Sequence, residues 1–259
     1  MRLSLLFFFA TLLSTSHASF NSDNPIRQLR RPSSGLTELG YDYKINCQSF
    51  RVGVEANNVR DWSTVPSYCK NYIKTYLTSK QWGLDVEAVA NEAYEYAATF
   101  QKDAFLKDIW VFDVEETLVS NLNYLASSTV QYGTQPLGLN YYEWLRANST
   151  VVPAMKELYD ALLEMGFPIF LLSAAPSSER ETLVIALEDA GYSGWKKLIL
   201  RDEADNGKST VQFKSEKRQE LKHFHYRVAA NVGDQWSDLT GEEAGIRTFK
   251  VPNPVYYVL

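Results

Sequence analysis

The apolar positions of this chain change period near residue 107. Upstream they recur at helical spacing: Tyr68, Tyr72, Tyr76 and Leu77 within Ser67–Lys80, then Val86, Val89, Ala90, Ala93 and Tyr94 within Asp85–Phe100. Two helices are predicted there, the second with Asp85 as its N-cap. Downstream, short apolar or β-branched runs alternate with amphipathic stretches. Ile109–Phe112, Phe167–Leu172, Lys197–Leu200, Val228–Val232 and Arg247–Val251 read as strands, the last stopped by Pro252 and Pro254. Pro153–Met165 reads as a helix, with Pro153 suited to its first turn and Gly166 just past its end. Ser178 and Glu181 have capping-box spacing and open a helix that halts at Gly191. Lys214–His225 supplies another. This alternation predicts an α/β fold with a parallel sheet and right-handed crossovers. The expected plan is a helical N-terminal segment over 41–106, packed against an α/β domain over 107–259. That domain carries an irregular insertion at about 119–152, with Gly133, Pro136 and Gly138 and a short amphipathic piece, Tyr141–Leu145.

The N-terminus changes how the cysteines read. Met1–Ala18 has the pattern of a secretory signal peptide: Arg2, an apolar Leu3–Leu13 and Ser16-His17-Ala18 before the expected cleavage. Residues 19–40 are polar and aperiodic, as a flexible mature N-terminus would be. In an oxidising compartment the two cysteines, Cys47 and Cys69, favour a disulfide over two free buried thiols. A loop of about twenty residues closed this way would contribute on the order of 3 kcal/mol. Asn148-Ser149-Thr150 is a glycosylation sequon in a polar stretch. A net charge of −5 over 259 residues gives no reason to expect nucleic acid or an anionic membrane as partner. No stretch outside the N-terminus is apolar enough to span a bilayer.

The chemistry gathers at strand ends. The strand Ile109–Phe112 runs into Asp113-Val114-Glu115-Glu116-Thr117, so it delivers carboxylates to its C-terminal edge. Ligands bind at that edge in open α/β sheets. Further along come Ser173 at the end of the second strand, Lys214 near a helix start, and Asp234 with Asp238 after the fourth strand. Each alone has a bland reading as a cap, a turn residue or a solvated charge. Their order, each at the expected place in an α/β chain, is what points to a site.

"VFDVEETLVSN" resembles the Asp-x-Asp-x-Thr motif of haloacid dehalogenase superfamily phosphatases, as it stands in the plant acid phosphatases and vegetative storage proteins of subfamily IIIB. "FKSEKR" around Lys214 and "GDQWSD" over Gly233–Asp238 are similar to later motifs of that family, and the resemblance runs from Tyr41 to the C-terminus. It implies a haloacid-dehalogenase-like Rossmannoid sheet with flanking helices and a small cap inserted after the first strand. It further implies that Asp113 attacks phosphorus to form an aspartyl-phosphate. Mg²⁺ would be held by Asp113, the backbone carbonyl of Glu115 and Asp234, with Asp238 in support. Lys214 would neutralise the nucleophile, and Ser173 with the loop amides would donate to phosphoryl oxygens.

Two departures stand out. Glu115 occupies the acid/base position where the family has Asp, and Ala174-Ala175 stands where many relatives have Gly-Arg. Both imply weakened turnover: the longer Glu shifts the acid, where a displacement of about 1 Å can cost roughly 10²-fold, and Ala174-Ala175 removes a phosphate or substrate contact. The expectation is a secreted or vacuolar acid phosphatase acting on small phosphomonoesters, with a homodimer as the candidate assembly. The alternative is a vegetative storage glycoprotein with little or no activity. Retention of Asp234 and Asp238 speaks against a dehalogenase, which needs no metal ligands.

Overall fold

The first strand of the sheet is also its centre. In the computed structural model, five parallel strands run in the order β5-β4-β1-β6-β7. They are β1 (Lys107–Phe112), β4 (Ile169–Pro176), β5 (Lys197–Arg201), β6 (Tyr226–Gly233) and β7 (Arg247–Lys250). Two short strands, β2 (Val119–Ser120) and β3 (Thr150–Val151), pair antiparallel beside them. The structure describes residues 45–62, 64–121, 124 and 139–258, all within one compact unit, Ile45–Leu259. The expectations for the signal peptide, for residues 19–40 and for most of the insertion therefore lie outside the described residues.

β1 alternates its side chains between two cores. Trp110 and Phe112 enter one cluster, with Met155, Tyr159 and Leu162 of a covering helix; Ile109 and Val111 enter the other, with Phe170, Phe213 and Leu221. A strand buried on both faces reads as a continuous apolar run, which is why this one was legible. Among the described residues the helices are α1 (Cys47–Glu55), α2 (Lys70–Thr78), α3 (Lys80–Thr99), α4 (Leu139–Asn148), α5 (Pro153–Glu164), α6 (Arg180–Asp189), α7 (Thr210–His223) and α8 (Trp236–Leu239). None of them is long and apolar enough to cross a membrane.

The N-terminal helices build a third cluster from Phe50, Val54, Cys69, Ile73 and Leu77, and the C-terminal Val255 and Tyr256 complete it. Cys47 and Cys69 are joined there, with Cα atoms 5.3 Å apart. Cys47 opens α1 beneath its Asn46 cap.

Several local expectations are corrected. Ser67–Lys80 is not one helix: a 3₁₀ turn over Ser67–Cys69 leads into α2, and Ser79 is extended. Ser79, not Asp85, caps α3, accepting from the Gln81 amide. Asp85 lies in the second turn, and its carboxylate binds the Tyr76 hydroxyl, Arg51 and Gln81. A carboxylate with donors from two neighbouring helices, Arg51 of α1 and Tyr76 of α2, and a third from Gln81 of its own helix does not need the helix amides, so the tertiary partners win over capping. The spacing of Ser178 and Glu181 does not produce a capping box either. α6 begins at Arg180 after a 3₁₀ turn and has no side-chain cap. α7 begins at Thr210, capped by Ser209, so Lys214 sits in its second turn rather than at its start.

Candidate active site

Parallel register brings three strand ends together. Phe112 pairs with Leu171 of β4 and with Val232 of β6, so Asp113, Ser173 and Asp234 emerge side by side at the carboxyl edge. The Asp113 amide donates to the Val232 carbonyl at 2.9 Å, extending the ladder one residue past β1. Asp113 is buried, and both of its oxygens are engaged. Lys214 Nζ lies 2.5 Å from Oδ1, and the Thr117 hydroxyl donates to Oδ2 at 3.2 Å. Lys214 Nζ also lies 2.5 Å from Asp238 Oδ1.

The loop after β1 separates the three carboxylates of the motif into different roles. Glu116 is buried in the left-handed conformation, φ 59°. Its carboxyl accepts from the Asn121 amide at 2.9 Å and the Ser120 hydroxyl at 3.3 Å. It closes the loop on itself, and burial, reinforced by the charge of Asp234, pushes its pKa up to about 8. Glu115 points instead into the site, where the Ser173 hydroxyl donates to its Oε1 at 2.9 Å. The hydroxyl expected to face the phosphoryl group is thus bound to the acid, a consequence of the longer Glu side chain reaching β4.

Electrostatics make this cluster unusual. Burial drives the Asp113 carboxyl well above the ordinary carboxylate range, against the pull of Lys214, and the charges of Asp238, Asp234 and Glu115 drive it further. Asp234 is pushed up to about 6 by burial and by Asp238. Lys214 stays protonated: burial would lower its pKa, but the charges of Asp113 and Asp238 outweigh it. One ammonium therefore faces several buried carboxylates, which ionise together only when a further cation joins them. Carboxylate oxygens of Asp113, Asp234 and Asp238 lie within 4.8 Å of one another, an all-oxygen set suited to a hard divalent ion. The donor set thus fits the metal that the motifs imply.

Outer contacts hold these carboxylates. Asp234 Oδ2 accepts from Asn253 at 2.6 Å, Gln235 at 2.9 Å and the Tyr256 hydroxyl at 3.3 Å. Gly233 must be glycine: a Cβ there would come within 2.4 Å of Asp238 Oδ2. Tyr141, Ala174, Thr210 and Ser237 line the same cavity. Among the described residues the buried Ser237 hydroxyl has no hydrogen-bond partner, so it can serve a ligand oxygen. Asn253, Tyr256, Ser237 and Glu116 were not singled out from the sequence. Only the length of the Gly233–Asp238 motif hinted at Ser237. Asn148 is exposed at the end of α4, and its side-chain amide donates to the Trp144 carbonyl at 3.3 Å.

The comparisons agree with this geometry. The model of the HAD superfamily, subfamily IIIB (Acid phosphatase), matches residues 31–259. The chain belongs to that family. It is 36% identical to Acid phosphatase 1 of Solanum lycopersicum over 83% of this chain and 85% of the relative. It is 37% identical to Vegetative storage protein 2 of Arabidopsis thaliana over 82% of this chain and 80% of the relative. Among solved structures, the class C acid phosphatase from Bacillus anthracis superposes with a TM-score of 0.56 at 18% identity. That superposition covers 73% of this chain and 85% of the bacterial one, and supports the fold.

Proposed function

We propose that this chain is a Mg²⁺-dependent acid phosphatase of the secretory pathway, extracellular or vacuolar, hydrolysing small phosphomonoesters with attenuated turnover. The observation that carries the reading is the buried Asp113, oriented by Lys214 and Thr117 beside the Asp234–Asp238 pair. Asp113, Asp234 and the Glu115 carbonyl would hold Mg²⁺, with Asp238 in support. The bound ion would offset the phosphate dianion and lower its repulsion of the attacking carboxylate.

The chain's own residues then divide the work. An Asp113 oxygen forms the bond to phosphorus as the bond to the alcohol oxygen breaks. Glu115 gives its proton to that oxygen as the electron pair arrives. Burial holds the Glu115 carboxyl above its ordinary value, against the Ser173 bond, which favours the proton-bearing form in an acidic compartment. In the second half, Glu115 takes a proton from water as the water oxygen attacks phosphorus, and the bond from phosphorus to Asp113 breaks. Lys214 stays charged throughout and counters the developing negative charge.

A second reading is a storage glycoprotein that keeps the site but turns over little. It is favoured by Glu115 being tied back to Ser173. The near-equal identities to an acid phosphatase and to storage proteins do not separate the two readings. The test is hydrolysis of a generic aryl phosphate in mildly acidic buffer, with Mg²⁺ or with chelator, for wild type and Asp113→Asn. The phosphatase reading expects metal-dependent turnover that disappears in Asp113→Asn. Wild-type rates no higher than those of Asp113→Asn across several phosphomonoesters would leave the storage reading.

A further inference from the structure

α7 carries a second buried cation, Arg218, one helical turn after Lys214 and on the same face. It is fully buried, and no carboxylate lies within ion-pair distance of it among the described residues. All its bonds go to one short stretch of backbone and one hydroxyl. Nη1 donates to the Asp238 carbonyl at 2.9 Å, and Nη2 to those of Thr240 at 2.6 Å and Glu242 at 3.1 Å. Nε reaches Glu242 at 3.2 Å, and Nη2 the Ser215 hydroxyl at 3.4 Å. Burying a guanidinium with only carbonyl partners is costly, so the arrangement invites a reason.

The reason lies in α8, which spans only Trp236–Leu239. A helix that short satisfies few of its own carbonyls and cannot set its own direction. We propose that Arg218 is the positioning residue that aims Asp238 at the metal site. The proposal rests on the phosphatase reading. Helix α7 grips Asp238 at both ends: Lys214 takes the carboxylate and Arg218 the carbonyl. Asn231 adds a second donor to the same carbonyl at 2.5 Å. The stretch beyond is pressed against α7 so closely that a Cβ on Gly241, φ 79°, would come within 2.1 Å of the Ser215 hydroxyl oxygen. Asp238 Oδ2 accepts the Gln235 amide at 2.9 Å, so a tilt of α8 moves the carboxylate and the adjoining Asp234 together.

The test uses the full chain with Arg218→Lys and Arg218→Met. Mg²⁺ binding is followed by titration calorimetry, and folding by near-ultraviolet circular dichroism and thermal melts with and without Mg²⁺. Both variants are expected to fold. Mg²⁺ affinity should fall about 10–100-fold in Arg218→Met, the range for residues that orient metal ligands, with partial retention in Arg218→Lys. The rise in Tm on adding Mg²⁺ should shrink in the same order. Arg227→Met is the control, since Arg227 pairs with Asp108 at the other end of β1. It should lower Tm and leave Mg²⁺ affinity unchanged. Wild-type affinity in folded Arg218 variants would overturn the proposal. So would failure of both to fold, which would make Arg218 a brace of the core. A wild type that bound no Mg²⁺ and showed no Asp113-dependent turnover would remove the phosphatase reading itself. Equal binding by wild type and variants would remove only the role of Arg218.

Discussion

Glu115 has one methylene more than the Asp its family carries, and the structure shows where that length goes. The carboxylate reaches across to β4 and takes the Ser173 hydroxyl. An acid held there is drawn aside, and Ser173 is not free to bind a phosphoryl oxygen. Glu115→Asp is therefore expected to raise Mg²⁺-dependent turnover by roughly 10²-fold, the scale of a 1 Å correction at a reacting group. Single-turnover and steady-state rates on an aryl phosphate would read this directly. An unchanged rate would show that Ser173 already holds the longer acid in a productive place. Glu116, next in sequence, has the same side chain and a different function, because the left-handed turn at that residue sends it into the loop instead of the site.

At the scale of elements, the N-terminal helices are joined through one carboxylate. Asp85 on α3 receives Arg51 from α1 at 3.0 Å and the Tyr76 hydroxyl from α2 at 2.7 Å. Burial pushes its carboxyl up, but the bonds from Tyr76, Gln81 and Arg51 outweigh this, and the net pKa is lowered. A carboxyl held low in the folded state adds stability above its unfolded value of about 3.9 and loses it as pH falls through the lower folded value. Asp85→Asn should therefore cost about 1 kcal/mol near neutrality, the scale of a net hydrogen bond. The difference in Tm from wild type should close as pH drops below about 4. Thermal melts over a pH series check this, and a gap that widened in acid would refute it. The same helices reach the site, since the Trp236 indole of α8 donates to the Val54 carbonyl of α1 at 3.1 Å.

Across the whole molecule, the Cys47–Cys69 bridge sits in the cluster that Val255 and Tyr256 complete, while Tyr256 also touches Asp234. Replacing both cysteines with Ala should lower stability by on the order of 3 kcal/mol, measured by denaturant unfolding. Turnover at a temperature where the variant remains folded should be preserved, because no bond to a metal ligand is lost. A large loss of turnover in the folded variant would show that the bridge shapes the site through Tyr256. Both readings of function share this frame.

Much of the fold was legible because its signals are local. β1 read as an apolar run because both of its faces are buried, and Asp113, Asp234 and Asp238 read from their place after strands. Lys214 was found by motif, although 101 residues separate it from Asp113. Where neighbours along the chain suffice, as with Pro153 opening α5, periodicity and capping chemistry decide the outcome by themselves. The tertiary structure decided the rest. Asp85 became a hub rather than a cap, since donors from two other helices outcompete its own helix amides. Ser173 went to Glu115, and Arg218 went to carbonyls in and after α8. Each of these depends on register between strands and on contacts between distant elements, which no short window of sequence contains. The chain by itself determined its α/β alternation and the residue types available for phosphoryl chemistry. Only the packing determined which carboxylates face one another, because burial and long-range partners set their direction and their charge.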